Sequence, residues 1–87
     1  MIFEFDRIKS ASNKTKHGID FIESQAIWND ERRLETEAQS ATEPRIQVLG
    51  AIGDKIWSAF ITCREGKIRI ISVRRAREEE RERYHDR

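Results

Sequence analysis

Residues 55–75 read KIWSAFITCREGKIRIISVRR, and this stretch decides the fold. Two runs rich in apolar and β-branched residues, 55–64 and 67–75, lie on either side of Glu65-Gly66, a pattern that predicts two strands joined by a tight turn. Apolar residues occupy parts of both alternating faces of each run, which is typical of central strands covered on both sides. We therefore expect an antiparallel hairpin in the middle of a sheet.

The chain before this hairpin extends the sheet. A turn at 53–54 joins the hairpin to a further strand over 45–51, and alternation over 34–36 predicts a modest strand before that. Residues 37–44, rich in Ala, Ser, Thr and Glu, are expected to form a polar loop. Near the start of the chain, 3–5 alternates as a short, half-buried strand would.

Two short helices are predicted between these strands, within residues 7–29. Asp6 can accept backbone hydrogen bonds at the start of the first helix, and Gly18 supplies the left-handed conformation with which helices often end. Asp20 and Glu23 have the spacing of a capping box, so a second helix should begin there.

The last residues, 76–87, are mostly arginine and glutamate and are predicted to form a helix. Because Tyr84 is its one large side chain, this helix has little to bury, and we expect it to be loosely docked or held by another protein. The whole pattern predicts a single α+β domain over 1–87, with short helices packed on an antiparallel sheet of about four strands and a C-terminal helix.

Length and composition favour one small domain inside the cell. The chain has 87 residues, of which 37% are hydrophobic and 38% are charged, so the core must be thin. No apolar run reaches the roughly 18 residues of a membrane span, and residues 1–6 lack the basic and apolar regions of a secretory signal. We expect a cytoplasmic protein.

The charge is distributed unevenly along the chain. The net charge is only +1, which alone gives no reason to expect nucleic acid. The balance is +2 over 1–18, −5 over 19–44, +5 over 45–75 and −1 over 76–87. Such asymmetry can produce a basic face for phosphates and an acidic face for another partner, although scattered solvated charges explain it equally well.

Three side chains are assigned to the core. Cys63 is the one cysteine, so the chain has no internal disulfide and no site made of several thiols. Because it lies in an apolar stretch, we expect it to be buried and inert. Trp28 and Trp57 are also expected in the core.

Cleavage of RNA without a metal needs particular side chains. The ribose 2′-hydroxyl must lose a proton as it attacks the phosphate, the leaving oxygen must gain one, and cations must hold the phosphoryl charge. Lys16-His17 at the end of the first helix is one candidate group, because an imidazole can accept or donate a proton near neutral pH. The alternative is that these cations merely interact with the helix dipole.

Arginines in the last strand are the second candidate group. Strict alternation would place Arg69, Val73 and Arg75 on one side of the strand, with Ser72 and Arg74 on the other. An arginine near the middle of an apolar strand is costly unless it has a partner, which makes Arg69 the best candidate. The alternative is an ion pair between Arg69 and a glutamate of the last helix.

The remaining candidates are weaker. Tyr84 could stack on a base or donate its hydroxyl, and it could equally anchor the last helix. His85 is expected to be solvated. No spacing of histidines or carboxylates predicts a metal site, and no cofactor is expected.

Two groups of residues carry a family resemblance over nearly the whole chain. The first group is Phe3-Glu4-Phe5-Asp6, Lys9, Asn13, Lys16-His17-Gly18, Phe21, Glu23 and Ala26. The second is Ile68 to Ala76, followed by Glu80, Arg81 and Tyr84. In this order and at this separation, they resemble the two signatures of the BrnT family.

The resemblance implies a RelE-like fold, with two short N-terminal helices packed on a curved antiparallel sheet. It implies a ribonuclease toxin of a type II toxin–antitoxin system that inhibits translation by cleaving RNA. Its partner would be a BrnA-like ribbon-helix-helix antitoxin. The two proteins would form a hetero-oligomer that binds operator DNA only through the antitoxin. Carried over residue by residue, the implied site comprises Lys16, His17, Arg69, Arg74 and Arg75, supported by Glu80 and Tyr84, with Ser72 among the residues that contact RNA.

A second interpretation belongs to another class of protein. The modest net charge and the mixed charges of the last helix would also suit a non-catalytic protein that binds the antitoxin and acts as a co-repressor of its own operon.

Overall fold

The computed structural model describes residues 1–38 and 43–87, and their arrangement is α+β. The elements in chain order are β1 (Phe3–Glu4), α1 (Arg7–His17), a 3-10 helix (Glu23–Asn29), β2 (Leu34–Ala38), β3 (Arg45–Ile52), β4 (Lys55–Arg64), β5 (Lys67–Arg75) and α2 (Glu78–His85). The hairpin predicted from residues 55–75 is confirmed, because β4 and β5 pair antiparallel at the centre of the sheet.

The sheet has five strands in the order β1-β5-β4-β3-β2. Its four longer strands are antiparallel neighbours, but β1 pairs parallel to β5 through Phe3 and Glu4. The prediction of about four strands, all antiparallel, was therefore wrong at this edge. The physical reason is the path of the chain. The two short helices separate β1 in sequence from the four antiparallel strands, and the chain runs in the same direction in β1 as in β5.

The predicted loop over 37–44 began too early. β2 extends to Ala38 and pairs with the start of β3 at Arg45. Cross-strand pairing with β3 therefore overrides the polar composition of this segment. Within the rest of that prediction, residues 39–42 lie outside the described residues, and residues 43–44 lie outside any strand, as predicted.

The ends of α1 are where the sequence placed them. The Asp6 carboxylate accepts hydrogen bonds from the Ile8 and Lys9 amides at 2.8 and 3.1 Å, and Gly18 ends the helix with a φ of 78°. The capping box is also present, because Asp20 and Glu23 exchange two hydrogen bonds of 3.0 and 2.7 Å. The second predicted helix follows this capping box, and it is a 3-10 helix.

One face of the sheet, here called the core face, carries the main apolar core. It packs against the segment between α1 and β2, and the buried residues of this cluster are Ile19, Phe21, Ile27, Trp28, Val48, Trp57, Ala59, Ile61, Ile70 and Val73. Trp28 and Trp57 are each only 9% exposed, which confirms the prediction that both lie in the core. Phe3 packs edge-on against Trp28, with ring centroids 4.9 Å apart, so β1 is held to this core.

The opposite face of the sheet, here called the α2 face, is covered at one end by α2. Ala76 and Tyr84 form a second, smaller cluster with Leu49 and Ile56. Tyr84 is only 7% exposed. The expectation of a loosely docked last helix was therefore wrong, because this tyrosine and polar contacts described below attach α2 to the sheet.

A β-bulge in β5 changes which side chains share a face. Phe60 of β4 pairs with Ser72 and the adjacent Ile61 pairs with Ile70, so Ile71 is an extra residue in the strand. An extra residue reverses the alternation beyond it. Arg69, Ser72 and Arg74 consequently share the α2 face, whereas Val73 and Arg75 lie on the core face. The predicted grouping of Arg69 with Val73 and Arg75 was wrong for this reason.

Cys63 is exposed, contrary to the prediction of a buried thiol. It pairs with Ile68 close to the turn between β4 and β5, where residues 64–67 are also exposed. The apolar run of β4 thus extends one residue beyond the part of the sheet that the core covers.

Candidate functional site

Helix α1 is fixed beside the outer edge of β5 by one buried amide. Asn13 donates hydrogen bonds to the Ile19 and Val73 carbonyls at 2.8 and 2.9 Å, and it accepts one from the Val73 amide at 3.2 Å. β1 pairs only with Ile68 and Arg69. The Asn13 side chain therefore bonds to the β5 backbone at Val73, which lies beyond the two residues of β5 that pair with β1.

A groove of about 190 Å³ lies between α1 and β5. We call it the α1–β5 groove, and its lining residues are Lys9, Ser12, Asn13, Lys16 and His17 from α1 with Ile71 and Ser72 from β5. The helical members are spaced by three and four residues, which places them on one face of the helix. The groove therefore joins the predicted Lys16-His17 group to the predicted strand.

The cations of this groove are available to a ligand. Lys9, Lys16 and His17 are exposed, and within residues 1–38 and 43–87 their side chains make no hydrogen bond or ion pair. Lys14 differs, since its ammonium lies 2.8 Å from the Glu23 carboxylate. Because α1 contains no acidic residue, its positive charge is not balanced within the helix.

Arg69 lies on the α2 face with a partner other than the one predicted. Its guanidinium is 3.7 Å from the carboxylate of Glu4 in β1, and both side chains are about one-third exposed, at 33% and 30%. The expected alternative, an ion pair with a glutamate of the last helix, is not formed by Arg69. An exposed pair at this distance contributes little to stability.

Arg74 forms the ion pair with the last helix. Two of its nitrogens donate to the two carboxylate oxygens of Glu80, at 2.7 and 2.9 Å. Glu80 also accepts hydrogen bonds from the Gln47 amide at 2.6 Å and from the Arg77 backbone at 2.8 Å. The Arg74 guanidinium beside it, with these other donors, lowers the pKa of Glu80 from 4.5 to about 2. Glu80 is therefore a fixed anion that orients Arg74.

Ser72 lies in the α1–β5 groove, but Arg69 and Arg74 do not line it. The bulge places Ser72 on the same face of β5 as Arg69 and Arg74. Arg75 is separate from this set, because it lies on the core face with its guanidinium 5.5 Å from the centre of the Trp57 ring. The structure thus brings Lys16, His17 and Ser72 into one groove and puts Arg75 on the other side of the sheet.

Tyr84 does not line the α1–β5 groove, and its hydroxyl is bonded to another side chain of the protein. Its hydroxyl donates a hydrogen bond to the Asp30 carboxylate, which also accepts from the Ala51 and Arg32 amides at 2.8 and 2.9 Å. Burial raises the pKa of Asp30, but the hydrogen bonds from Tyr84, Ala51 and Arg32 together lower it below its usual value. His85 is exposed, and its ring lies edge-on to that of Tyr84.

Four lining residues were not predicted from the sequence, namely Lys9, Ser12 and Asn13 of α1 and Ile71 of β5. A usable signal was present, because residues 9, 12, 13 and 16 have the spacing of one helical face. The polar attachment of α1 through Asn13 was not predictable from that spacing, since the amide bonds to a strand 60 residues away.

Neither a metal cluster nor a membrane helix is found in the part of the chain that the structure describes. Within residues 1–38 and 43–87, no three histidine, cysteine or carboxylate side chains are grouped so as to hold a metal ion. Over the same residues, no helix has the length and apolar character that crossing a membrane requires.

The chain matches the model of a known protein family over most of its length. The family model described as "Ribonuclease toxin, BrnT, of type II toxin-antitoxin system" matches residues 5–80. The match includes α1 and all of β5, and therefore both walls of the α1–β5 groove. No curated protein matches the chain.

Proposed function

The chain belongs to the BrnT family of ribonuclease toxins of type II toxin–antitoxin systems, and on this premise we propose that it cleaves RNA in the α1–β5 groove. The proposed reaction needs no metal, and it inhibits translation. The proposed fold type of the domain is RelE-like. Membership of the family implies a cognate antitoxin, which we propose to be a BrnA-like ribbon-helix-helix protein. The observation that carries the proposal is the placement of Lys16, His17 and Ser72 in one groove.

The groove offers the groups that cleavage through the ribose 2′-hydroxyl requires. His17 is proposed to transfer protons, taking one from the 2′-hydroxyl or giving one to the leaving 5′-oxygen. The 2′-oxygen then bonds to phosphorus as the 5′-oxygen leaves, and the product carries a 2′,3′-cyclic phosphate. Lys9 and Lys16 balance the charge on the phosphoryl oxygens. Because the substrate supplies its own nucleophile, no metal-bound water is needed.

The arginines on the α2 face are proposed to bind the RNA backbone on either side of the cleaved bond. Arg74 uses three N–H donors on Glu80 and on the Arg75 carbonyl, and a guanidinium has five. The remaining donors can bind a phosphate while Glu80 fixes the direction of the fork. Tyr84 supports this arrangement indirectly by holding α2, the helix that contains Glu80.

The first test measures cleavage by His17→Ala. The purified protein is incubated with a labelled RNA in the presence of a chelator, and the product ends are identified. We expect the wild type to leave 2′,3′-cyclic phosphate and His17→Ala to cleave at least about a hundredfold more slowly, as general acid–base catalysis contributes about 10²–10⁴-fold.

His85→Ala is the matched control, because it removes the other exposed histidine of the chain. It should retain the wild-type rate. A folded His17→Ala protein that cleaves at the wild-type rate would remove His17 from the site, and loss of wild-type activity in chelator would show that a metal is needed.

The second test separates two roles of Arg69. Arg69→Ala removes both a phosphate ligand and the partner of Glu4, whereas Glu4→Gln releases Arg69 from its ion pair and leaves the guanidinium in place. If Arg69 binds RNA, Arg69→Ala should raise KM and Glu4→Gln should not. Equal effects of both variants would assign Arg69 to structure alone.

The same assays distinguish the non-catalytic alternative. A protein that only binds antitoxin would leave the RNA intact and allow normal growth when produced without its antitoxin. We expect growth arrest with degraded RNA.

A further inference from the structure

Phe60 differs from the other phenylalanines of the chain in its surroundings. Phe21 is buried in the main apolar core and Phe3 and Phe5 pack against it, whereas Phe60 belongs to neither of the two apolar clusters. Phe60 is half-buried near the middle of β4, and its pairing with Ser72 of β5 places it on the α2 face of the sheet. Core packing therefore does not explain why an aromatic side chain lies there.

The neighbours of Phe60 on this face are polar in every direction. Ser58 and Thr62 lie two residues away on either side in β4, and Gln47 and Ser72 are its partners in the adjacent strands. Gln47, Ser58 and Thr62 are buried and hydrogen-bonded within the protein. The Ser72 hydroxyl makes no hydrogen bond in the part of the chain that the structure describes. Phe60 is thus a single aromatic ring within a polar part of the sheet.

An arginine of β5 lies on each side of Phe60 along the strand direction. Arg74 is paired with the residue two before Phe60, and its guanidinium lies over the Phe60 ring, 5.3 Å from the ring centre. Arg69 is paired with the residue two after Phe60. Each guanidinium has a carboxylate partner, which is Glu80 for Arg74 and Glu4 for Arg69. Charge alone therefore selects no ligand here, and what the arginines offer is their spare N–H donors.

These features fit an unstacked nucleobase better than a side chain of a protein partner. A base has a π-face that stacks on an aromatic ring, and it has polar edges that can hydrogen-bond beside that ring. An apolar side chain would meet one ring among polar groups and would bury little apolar surface. The phosphates that flank a base on Phe60 would find N–H donors on Arg69 and Arg74.

The α1–β5 groove reaches this face of the sheet at Ser72. Ser72 lines the groove, and it is the residue of β5 directly opposite Phe60. Neighbouring strands are about 4.8 Å apart. RNA that has a phosphate in the groove therefore needs to extend across only one strand spacing to bring an adjacent base to Phe60.

We propose that Phe60 is a base-stacking residue, which holds a nucleotide next to the cleaved bond with its base on the α2 face. The proposal rests on the function proposed above, because the α1–β5 groove supplies the position of the cleaved phosphate. It adds a subsite for a base to a site that otherwise binds the RNA backbone. Because every base has a π-face, this contact contributes affinity and position more than sequence preference.

The test measures whether the ring of Phe60 and one base of the RNA act together. Kd is measured by fluorescence anisotropy with a short, dye-labelled RNA whose 2′-methoxy groups prevent attack on the phosphate, and with copies that each lack one base. Removing one particular base should weaken wild-type binding about tenfold, which is within the range that one stacked base contributes. Phe60→Leu should bind the intact RNA about tenfold more weakly, and removing the same base should then change Kd less than about twofold.

Two further variants serve as controls. Phe60→Trp keeps an aromatic face and should keep the dependence on that base. Phe5→Leu makes the same change as Phe60→Leu at another half-buried phenylalanine, which packs against the main core. It should bind the intact and the abasic RNA as the wild type does, and circular dichroism verifies that each variant is folded.

Four results would overturn the proposal. If Phe60→Leu weakens the binding of intact and abasic RNA equally, the ring acts only by holding Arg74. If removal of no single base affects the wild type, no base is stacked. If Phe60→Leu keeps the wild-type affinity and the wild-type dependence on one base, that base stacks elsewhere. If Phe60→Leu weakens binding of the purified cognate antitoxin but not of RNA, the ring belongs to a protein interface.

The binding assay needs no catalysis, so this proposal and the proposed ribonuclease activity can fail separately. Base-dependent binding by a protein that cleaves no unmodified RNA would support the stacking residue and overturn the ribonuclease. Cleavage that is lost in His17→Ala, together with wild-type binding that depends on no base, would support the ribonuclease and overturn the stacking residue.

Discussion

At the scale of single residues, Asp30 is a junction between distant parts of the chain. Its carboxylate accepts hydrogen bonds from Ala51 in β3 and from Tyr84 in α2, which is 54 positions away in sequence. The bond from Tyr84 is partly buried, and a hydrogen bond to a charged group contributes more to stability than one between neutral groups. The main role of Tyr84 is therefore to anchor α2.

Tyr84→Phe is therefore expected to destabilise the protein without abolishing cleavage. Removing the hydroxyl leaves Asp30 with one donor fewer, which should lower the free energy of unfolding by about 1–3 kcal/mol. Urea denaturation followed by circular dichroism measures the loss. The rate of RNA cleavage by the folded variant should be unchanged, because Glu80 and Arg74 still hold α2. A large loss of cleavage rate in the folded variant would show that Tyr84 belongs to the catalytic site.

Glu80 makes stability depend on pH. Because its pKa is lowered from 4.5 to about 2 in the folded protein, the ionised form stabilises the fold fully above pH 4.5, and this contribution is lost as the pH falls towards 2. The contribution is on the order of 3 kcal/mol by linkage. Glu80→Gln should flatten the pH dependence of the free energy of unfolding over that window. A wild-type slope retained in the variant would contradict this assignment.

The sequence predicted single residues well where the cause is local and poorly where it is distant. Asp6, Gly18 and the pair of Asp20 with Glu23 act within a few residues of one another, and all were placed correctly. The contact between Tyr84 and Asp30 depends on how α2 returns to the sheet. No local pattern in the sequence encodes that return.

At the scale of elements, the packing of the 3-10 helix on β3 depends on the absence of a side chain at Gly50. A Cβ atom placed there would lie 2.6 Å from the Ile27 Cγ2 atom and 3.2 Å from the Ile27 carbonyl oxygen. Glycine at this position lets the helix approach the sheet backbone closely.

Gly50→Ala should therefore lower the free energy of unfolding by about 1–3 kcal/mol through overpacking. Thermal denaturation measures the change. In an Ile27→Ala background, which removes the Cγ2 atom, the cost of Gly50→Ala should be smaller. An equal cost in both backgrounds would show that the strain does not arise from this contact.

Element boundaries could be predicted because turn residues mark them, but the register of β5 could not. The turns at Gly53 and Gly66 were placed correctly, as both have positive φ angles of 63° and 77°. The bulge at Ile71 has no such marker, because an isoleucine there also suits a regular strand. The side of the sheet on which Arg69 lies, relative to Arg75, was consequently predicted wrongly.

At the scale of the whole molecule, the small net charge of +1 conceals a basic helix beside a basic strand. α1 contributes four lysine or arginine residues with no acid, and β5 contributes four more. Of these cations, Lys9 and Lys16 line the α1–β5 groove together with His17, whereas Arg75 lies on the core face and Lys14 is paired with Glu23. The local field, and not the net charge, is what a polyanion meets.

RNA binding should consequently depend on salt in proportion to the cations that contact phosphates. Each phosphate neutralised on a single strand contributes about 0.7 to the slope of log K against log salt concentration. Lys16→Ala should reduce the steepness by about that amount. Lys67→Ala, a control at the exposed turn of the β4–β5 hairpin, should leave it unaltered, and equal slopes for both variants would place Lys16 outside the RNA contact.

The attachment of α1 through Asn13 and Ser10 has an evolutionary consequence. Asn13 bonds to the backbone of Ile19 and Val73, and the Ser10 hydroxyl accepts a hydrogen bond from the Phe21 amide at 2.9 Å. Because these bonds secure the buried side of the helix, changes on its exposed side need no compensating repacking elsewhere. Exposed positions of α1 such as Ile8 and Ala11 can accordingly change while the helix keeps its attachment to β5.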